Sequence, residues 1–168
     1  MKNSIILYIL RFVLLVFFQI FLFNHILLFG YINPYIYIIF ILLAPINSTK
    51  SVFLITSFLL GLTIDIFGDS GGVHSAACLI TAYARPVILR SVFGLSYEFQ
   101  TMKLSKVRIA DLSTYVAVMV FIHHLVLFSL ETFNIGLIWL IAKKTLFSSL
   151  FSILVITIIL VLLRRKDS

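Results

Sequence analysis

Acidic side chains are scarce: six Asp and Glu stand against 13 Lys and Arg in 168 residues. No second carboxylate lies deep in the apolar runs, which argues against proton-coupled and phosphotransfer chemistry. Cys78 is the one cysteine, which excludes an intrachain disulfide and leaves a small packing residue as its expected role. No Ala or Gly occurs between Met1 and Phe29, so the first apolar run lacks an A-x-A-like cleavage site and is expected to stay as a helix. Pro-, Gly- or Ser-rich linkers and long polar blocks are also missing. Residues 1–168 therefore read as a single integral membrane domain with only loops outside the bilayer.

What is present is apolar: 62% hydrophobic against 11% charged residues, with a mean hydropathy of +1.18. An all-α membrane protein follows. Apolar runs at 12–29, 31–46, 52–67, 73–89, 110–130 and 145–163 predict six transmembrane helices. The run 31–46 is framed by Pro34 and Pro45 and measures only about 24 Å as a helix, so it is expected to cross only where the bilayer core is locally thin or by sitting nearly upright against its neighbours. Tyr31, Tyr35 and Tyr37 in it suit an interfacial aromatic belt. Gln19, Asn24 and His25, near the outer half of the first run, are expected to bond neighbouring helices or interfacial water.

Charge sets the orientation. Lys2, Arg11, Lys50, Arg85, Arg90, Lys103, Lys106, Arg108, Arg164, Arg165 and Lys166 fall on one side of the six-span reading, and Lys143 and Lys144 on the other. The positive-inside rule then makes the first side cytoplasmic, with both termini there. Arg85, Arg90, Arg164 and Arg165 read as basic anchors, Arg85 snorkelling to headgroups and Pro86 suiting the end of its helix. The longest polar connection, 90–108, carries Glu98, Lys103 and Lys106 among aromatics. It reads as an interfacial loop, or more sharply as a docking surface for a cytoplasmic partner. Asp111 opens the fifth run, where a carboxylate favours a helix amino terminus. Residues 131–144, with Trp139, resemble a short interfacial helix. His123 and His124 point about 100° apart on a helix. They form no metal pair by themselves: one is expected on a helix neighbour and the other at the interface, with no metal or cofactor.

The chain is organised around residues 61–83, GLTIDIFGDSGGVHSAACLITAY. Ser57, Gly61 and Asp65 recur every four residues, and His74, Ser75, Cys78 and Ala82 answer with a second small or polar stripe. Two antiparallel helices pressed together are expected, joined by a turn over 68–72 with three glycines and Ser70. Asp65 and His74 then lie at the two mouths of that turn, which also carries Asp69, and within reach of each other.

Gly61, Asp65, Gly72 and His74, in the order G-x-x-x-D-x-x-x-x-x-x-G-x-H, precede an Ala-containing apolar helix and Tyr83. This pattern resembles the signature of the MreD family of rod-shape-determining membrane proteins, and length and hydrophobic profile resemble that family from end to end. The resemblance implies a fold like the substrate-binding subunit of energy-coupling-factor transporters. It also implies a non-enzymatic scaffold of the cell-wall elongation complex in the bacterial cytoplasmic membrane. The implied partners are an MreC-like protein, MreB, a RodA-type glycan polymerase and its transpeptidase. Gly61, Asp65, Gly72 and His74 become a structural or partner-binding motif.

Two other readings compete. A vitamin-capturing transporter subunit would draw on Asn24, His25, Asp65, His74, His123 and His124 as outer polar groups. Its relatives carry A-x-x-x-A in the first helix, which is absent here. An intramembrane hydrolase would use Asp65 and His74 as an acid/base pair, but Ser70 and Ser75 sit in no nucleophile elbow.

Overall fold

The computed structural model describes residues 2–26, 32–46, 48–94 and 107–166. These are helical apart from short connections. Helix α1 spans Lys2–Phe21 and is followed by a 3-10 turn, Phe23–His25; α3 spans Lys50–Gly68, α4 Val73–Phe93, α5 Ile109–Thr132 and α6 Ile138–Lys166. Five segments are long and apolar enough to cross a bilayer: Ile6–His25, Lys50–Gly68, Val73–Phe93, Ile109–Thr132 and Ile138–Leu163. The chain is a multi-pass membrane protein.

The run 31–46 departs from expectation. It is no helix of membrane length but a 3-10 turn, Ile36–Ile38, leading into a single helical turn, α2, Ile39–Leu42. Pro34 and Pro45 bracket it, and three of its residues at 36–39 are β-branched Ile, which keeps the regular part short. Non-helical backbone at membrane depth is tolerated only where protein covers it. Here every residue from Ile36 to Leu42 is buried. Tyr35 lies beside His74 at the start of α4, whereas Leu42 and Ala44 lie beside Arg85, eleven residues further along α4. That displacement is about 16 Å at helical rise. The segment thus runs through the middle of the molecule alongside α4 and antiparallel to α1, where Gln19 meets Ile36 and Arg11 meets Leu43. We refer to it below as the crossing segment.

Around it, α3 packs on α4, α4 on α5 and α5 on α6, while α1 rests on α3 and on the crossing segment. The core is centred on the crossing segment itself, with Leu60, Ile64, Leu89, Met119, Val120 and Ile156 closing over it.

Other boundaries also shift. The first helix begins at Lys2 and ends at Phe21 rather than covering 12–29. The last begins at Ile138, so Trp139, Lys143 and Lys144 belong to its opening turns and form no separate interfacial helix. In α4 the helix passes through Pro86 and continues to Phe93. Tyr31, the connection carrying Glu98, Lys103 and Lys106, and the side chains of Arg164 and Arg165 lie outside the described residues. Arg108 caps the approach to α5 with a two-pronged ion pair to Asp111, at 2.9 and 3.0 Å. These hydrogen bonds hold the Arg108 guanidinium above its usual range.

Candidate functional site

The α3–α4 elbow follows from its small residues. A Cβ placed on Gly61 would lie 2.5 Å from Ser75 Cα and closer still to the His74 carbonyl oxygen. Only glycine lets α3 approach the first turn of α4 this closely. The chain then reverses in five residues. Asp69 takes a left-handed conformation (φ 48°) at the end of α3, and Gly71 and Gly72 have φ of 66° and 94°. Gly72 precedes the first residue of α4 and offers no side chain for capping.

Asp65 supplies the missing cap from the neighbouring helix. Its Oδ1 accepts from Ser70 Oγ (2.6 Å) and from the His74 backbone N–H (3.0 Å). Its Oδ2 accepts from the Ser75 N–H (2.8 Å) and from Ser75 Oγ. The carboxylate is 5% exposed and all four contacts come from the turn or from the first residues of α4. Negative charge at the amino end of a helix is favoured by its unpaired N–H groups and dipole. The expected proximity of Asp65 and His74 is therefore met through the His74 backbone.

The His74 ring turns the other way, to Tyr37. Tyr37 is 0% exposed, and its hydroxyl lies 2.7 Å from His74 Nδ1 and 3.1 Å from His123 Nε2. His123 Nε2 also approaches Cys78 Sγ at 3.9 Å. His124, equally buried, places Nδ1 2.8 Å from the Val120 carbonyl and Nε2 3.3 Å from Ser152 Oγ. Tyr35 stacks edge-on against Tyr37 and His124. Two expectations are corrected here. Tyr37 is a central hub rather than part of an interfacial belt, and neither histidine of the 123–124 pair faces the interface. A buried hydroxyl or imidazole needs hydrogen-bond partners, and Tyr37, His74 and His124 find theirs inside the bundle, whereas His123 Nδ1 and the hydroxyls of Thr145, Ser148 and Ser149 are buried without one. Among the described residues no three His, Cys, Asp or Glu side chains converge in a manner that would hold a metal ion.

The crossing segment depends on side chains from four helices. At one end Gln19 Nε2 donates to the Pro34 carbonyl (3.2 Å), Gln19 Oε1 accepts from the Ile36 N–H (2.8 Å), and Ser152 Oγ accepts from the Tyr35 N–H (3.0 Å). Asn24 steadies Gln19 through a 2.9 Å bond. At the other end Arg85 Nη2 donates to the Leu42 and Ala44 carbonyls (3.3 and 2.6 Å), and its Nε donates to Tyr115 Oη (2.9 Å). The Tyr115 hydroxyl donates to the Leu42 carbonyl (3.2 Å), and Arg11 Nη1 to the Leu43 carbonyl (3.1 Å). Arg85 is 4% exposed and lies over the Phe53 ring. It is an internal clamp rather than a headgroup anchor, because a planar guanidinium can serve two carbonyls and a hydroxyl at once. Arg90, in contrast, is exposed in the last turn of α4.

Of the motif residues, Gly61, Asp65, Gly72 and the His74 backbone converge in one elbow, whose hydrogen bonds are satisfied within the chain. Missed at the level of sequence were Tyr37, Tyr115 and the Thr145, Ser148, Ser149 and Ser152 face of α6, all buried. That face had a legible signal: its three-to-four-residue spacing repeats the rule that singled out Ser57, Gly61 and Asp65.

Together these features define a polytopic α-helical membrane protein whose central segment is held by side chains. No family model, curated protein or solved structure matches the chain.

Proposed function

We propose that this chain is a non-enzymatic scaffold subunit of the bacterial cell-wall elongation complex, of the MreD kind. It crosses the cytoplasmic membrane six times, the crossing segment being the second passage, with both termini in the cytoplasm and the Gly68–Gly72 turn outside. Its fold is of the type seen in substrate-binding subunits of energy-coupling-factor transporters. Its partners are an MreC-like protein, MreB, a RodA-type polymerase and the associated transpeptidase.

The observation that carries this reading is the complete internal use of Asp65. A general acid or base must present a free position to substrate, and both oxygens of this carboxylate are occupied by donors that fix α3 against α4. Such an elbow sets the shape of a surface. Capture of a vitamin is the second reading, favoured by the histidines and tyrosines gathered on the outer side. Against it, Tyr37 and His124 are fully buried and bond groups of the chain itself.

The test is purification of the tagged chain from its native membrane in mild detergent, with co-purifying proteins identified by mass spectrometry. MreC-like and wall-synthase proteins are expected. Recovery of an ATPase pair with a membrane coupling subunit would overturn the scaffold reading in favour of transport.

A further inference from the structure

Helices α1 and α6 flank the crossing segment. Between them lies a groove of about 590 Å³, walled by Leu7, Leu14 and Phe18 of α1 and by Ile159 and Leu163 of α6, with Ile39 in its floor. The lining on α1 extends from Leu7 to Phe18, about 16 Å of helix, and continues to Leu22 and Phe23 beyond it. It is apolar except at Arg11. Arg11 donates Nη1 to the Leu43 carbonyl, and among the described residues no carboxylate pairs with it.

The occupant has to fit both features. An apolar recess of this volume, facing hydrocarbon, does not hold water. One bilayer leaflet contributes about 15 Å of hydrocarbon, which an acyl chain laid along the groove spans. The Arg11 guanidinium lies at the last carbonyls of the crossing segment, close to where Arg85 binds Leu42 and Ala44, and the groove-lining cation calls for an anion at that level. We propose that the groove is a binding site for an anionic phospholipid of the cytoplasmic leaflet. One acyl chain lies between α1 and α6, and the phosphate pairs with Arg11.

The test uses the purified full-length chain, stripped of lipid in detergent and titrated with equal concentrations of phosphatidylglycerol and phosphatidylcholine, retained lipid being counted by native mass spectrometry. The wild-type chain is expected to retain phosphatidylglycerol about fivefold over phosphatidylcholine, the contribution of one basic side chain near a membrane surface. Arg11→Gln brings the ratio close to one. Leu14→Trp keeps the guanidinium but fills the groove, and it lowers retention of both lipids; Lys143→Gln, at the other end of the molecule, behaves as wild type. Where Arg11→Gln does not fold, Leu14→Trp decides. Equal retention of the two lipids by the wild type, or undiminished retention by Leu14→Trp, overturns the proposal. So does a photo-crosslinker at Leu14 that captures a polypeptide rather than lipid in native membranes.

Discussion

Replacing Asp65 by Ala removes the group that joins the end of α3 to the start of α4. Four donors lose their acceptor: Ser70 Oγ, the His74 and Ser75 N–H groups, and Ser75 Oγ. A hydrogen bond to a charged group contributes about 1.5–3 kcal/mol, so a simple sum would reach about 6–12 kcal/mol. The actual loss is smaller. The two hydroxyls can rotate to other acceptors, and removing the carboxylate also removes the cost of burying its charge. Deleting one partner of a buried charged network costs about 3–5 kcal/mol, and that is the expected loss here. Asp65→Asn keeps one carbonyl oxygen but turns an amide N–H₂ toward two donors, for an expected cost of about 1–2 kcal/mol, similar to losing a helix cap. For a chain of this size, 1 kcal/mol corresponds to about 2–4 °C. Thermal unfolding in one detergent, followed by the monodisperse fraction that survives heating, should therefore show Asp65→Ala lower by about 6–20 °C, with Asp65→Asn between it and wild type. Ser75→Ala in the Asp65→Ala background should add little, since its bonds to the carboxylate are already gone. Identical melting of Asp65→Ala and wild type, with loss only of partner association, would refute the capping argument and make Asp65 a contact residue.

Gly61→Ala should destabilise by about 1–3 kcal/mol in the same assay, although Ala is the better helix former, because its Cβ meets backbone atoms of His74 and Ser75 that cannot rotate away. A melting temperature at or above wild type would refute the close approach of the two helices. Arg85→Lys keeps the charge but loses the fork that serves Leu42, Ala44 and Tyr115 together, and a loss of about 2 kcal/mol is expected. Protection of the Leu42–Ala44 region against limited proteolysis in detergent should fall with it, and unaltered melting would show that an ammonium holds the segment as well.

The parts legible in the sequence were those written in local spacing. Four-residue recurrence of Ser57, Gly61 and Asp65 placed three buried residues on one face of α3, and Ser75, Cys78 and Ala82 are buried in the answering face of α4. Three glycines marked the reversal, and two of them, with Asp69, take positive φ. The second apolar run was legible as membrane-embedded but not as irregular. Its hydropathy is that of a helix, whereas its conformation is set by partners far along the chain: Gln19, Arg11, Arg85 and Tyr115 lie 15 to 73 residues from the backbone groups they bond. For the same reason Arg85 read as an anchor. A basic residue near the end of an apolar run is normally pulled to headgroups, and only the carbonyls of the crossing segment give it a stronger claim inside. His123 and His124 sit side by side in sequence, yet both are buried because the neighbours α4 and α6 and the crossing segment offer Cys78, Ser152 and Tyr37 on adjacent faces.

The dependence of the crossing segment on distant side chains also orders its biosynthesis. A segment that pairs few of its own backbone groups cannot leave a protein-conducting channel for lipid by itself. When residues 32–46 emerge from the ribosome, Gln19 and Arg11 already exist, but Arg85 and Tyr115 have yet to be made. The segment therefore has only α1 to hold it until α4 and α5 are made, and its set of partners is completed last from the middle of the bundle.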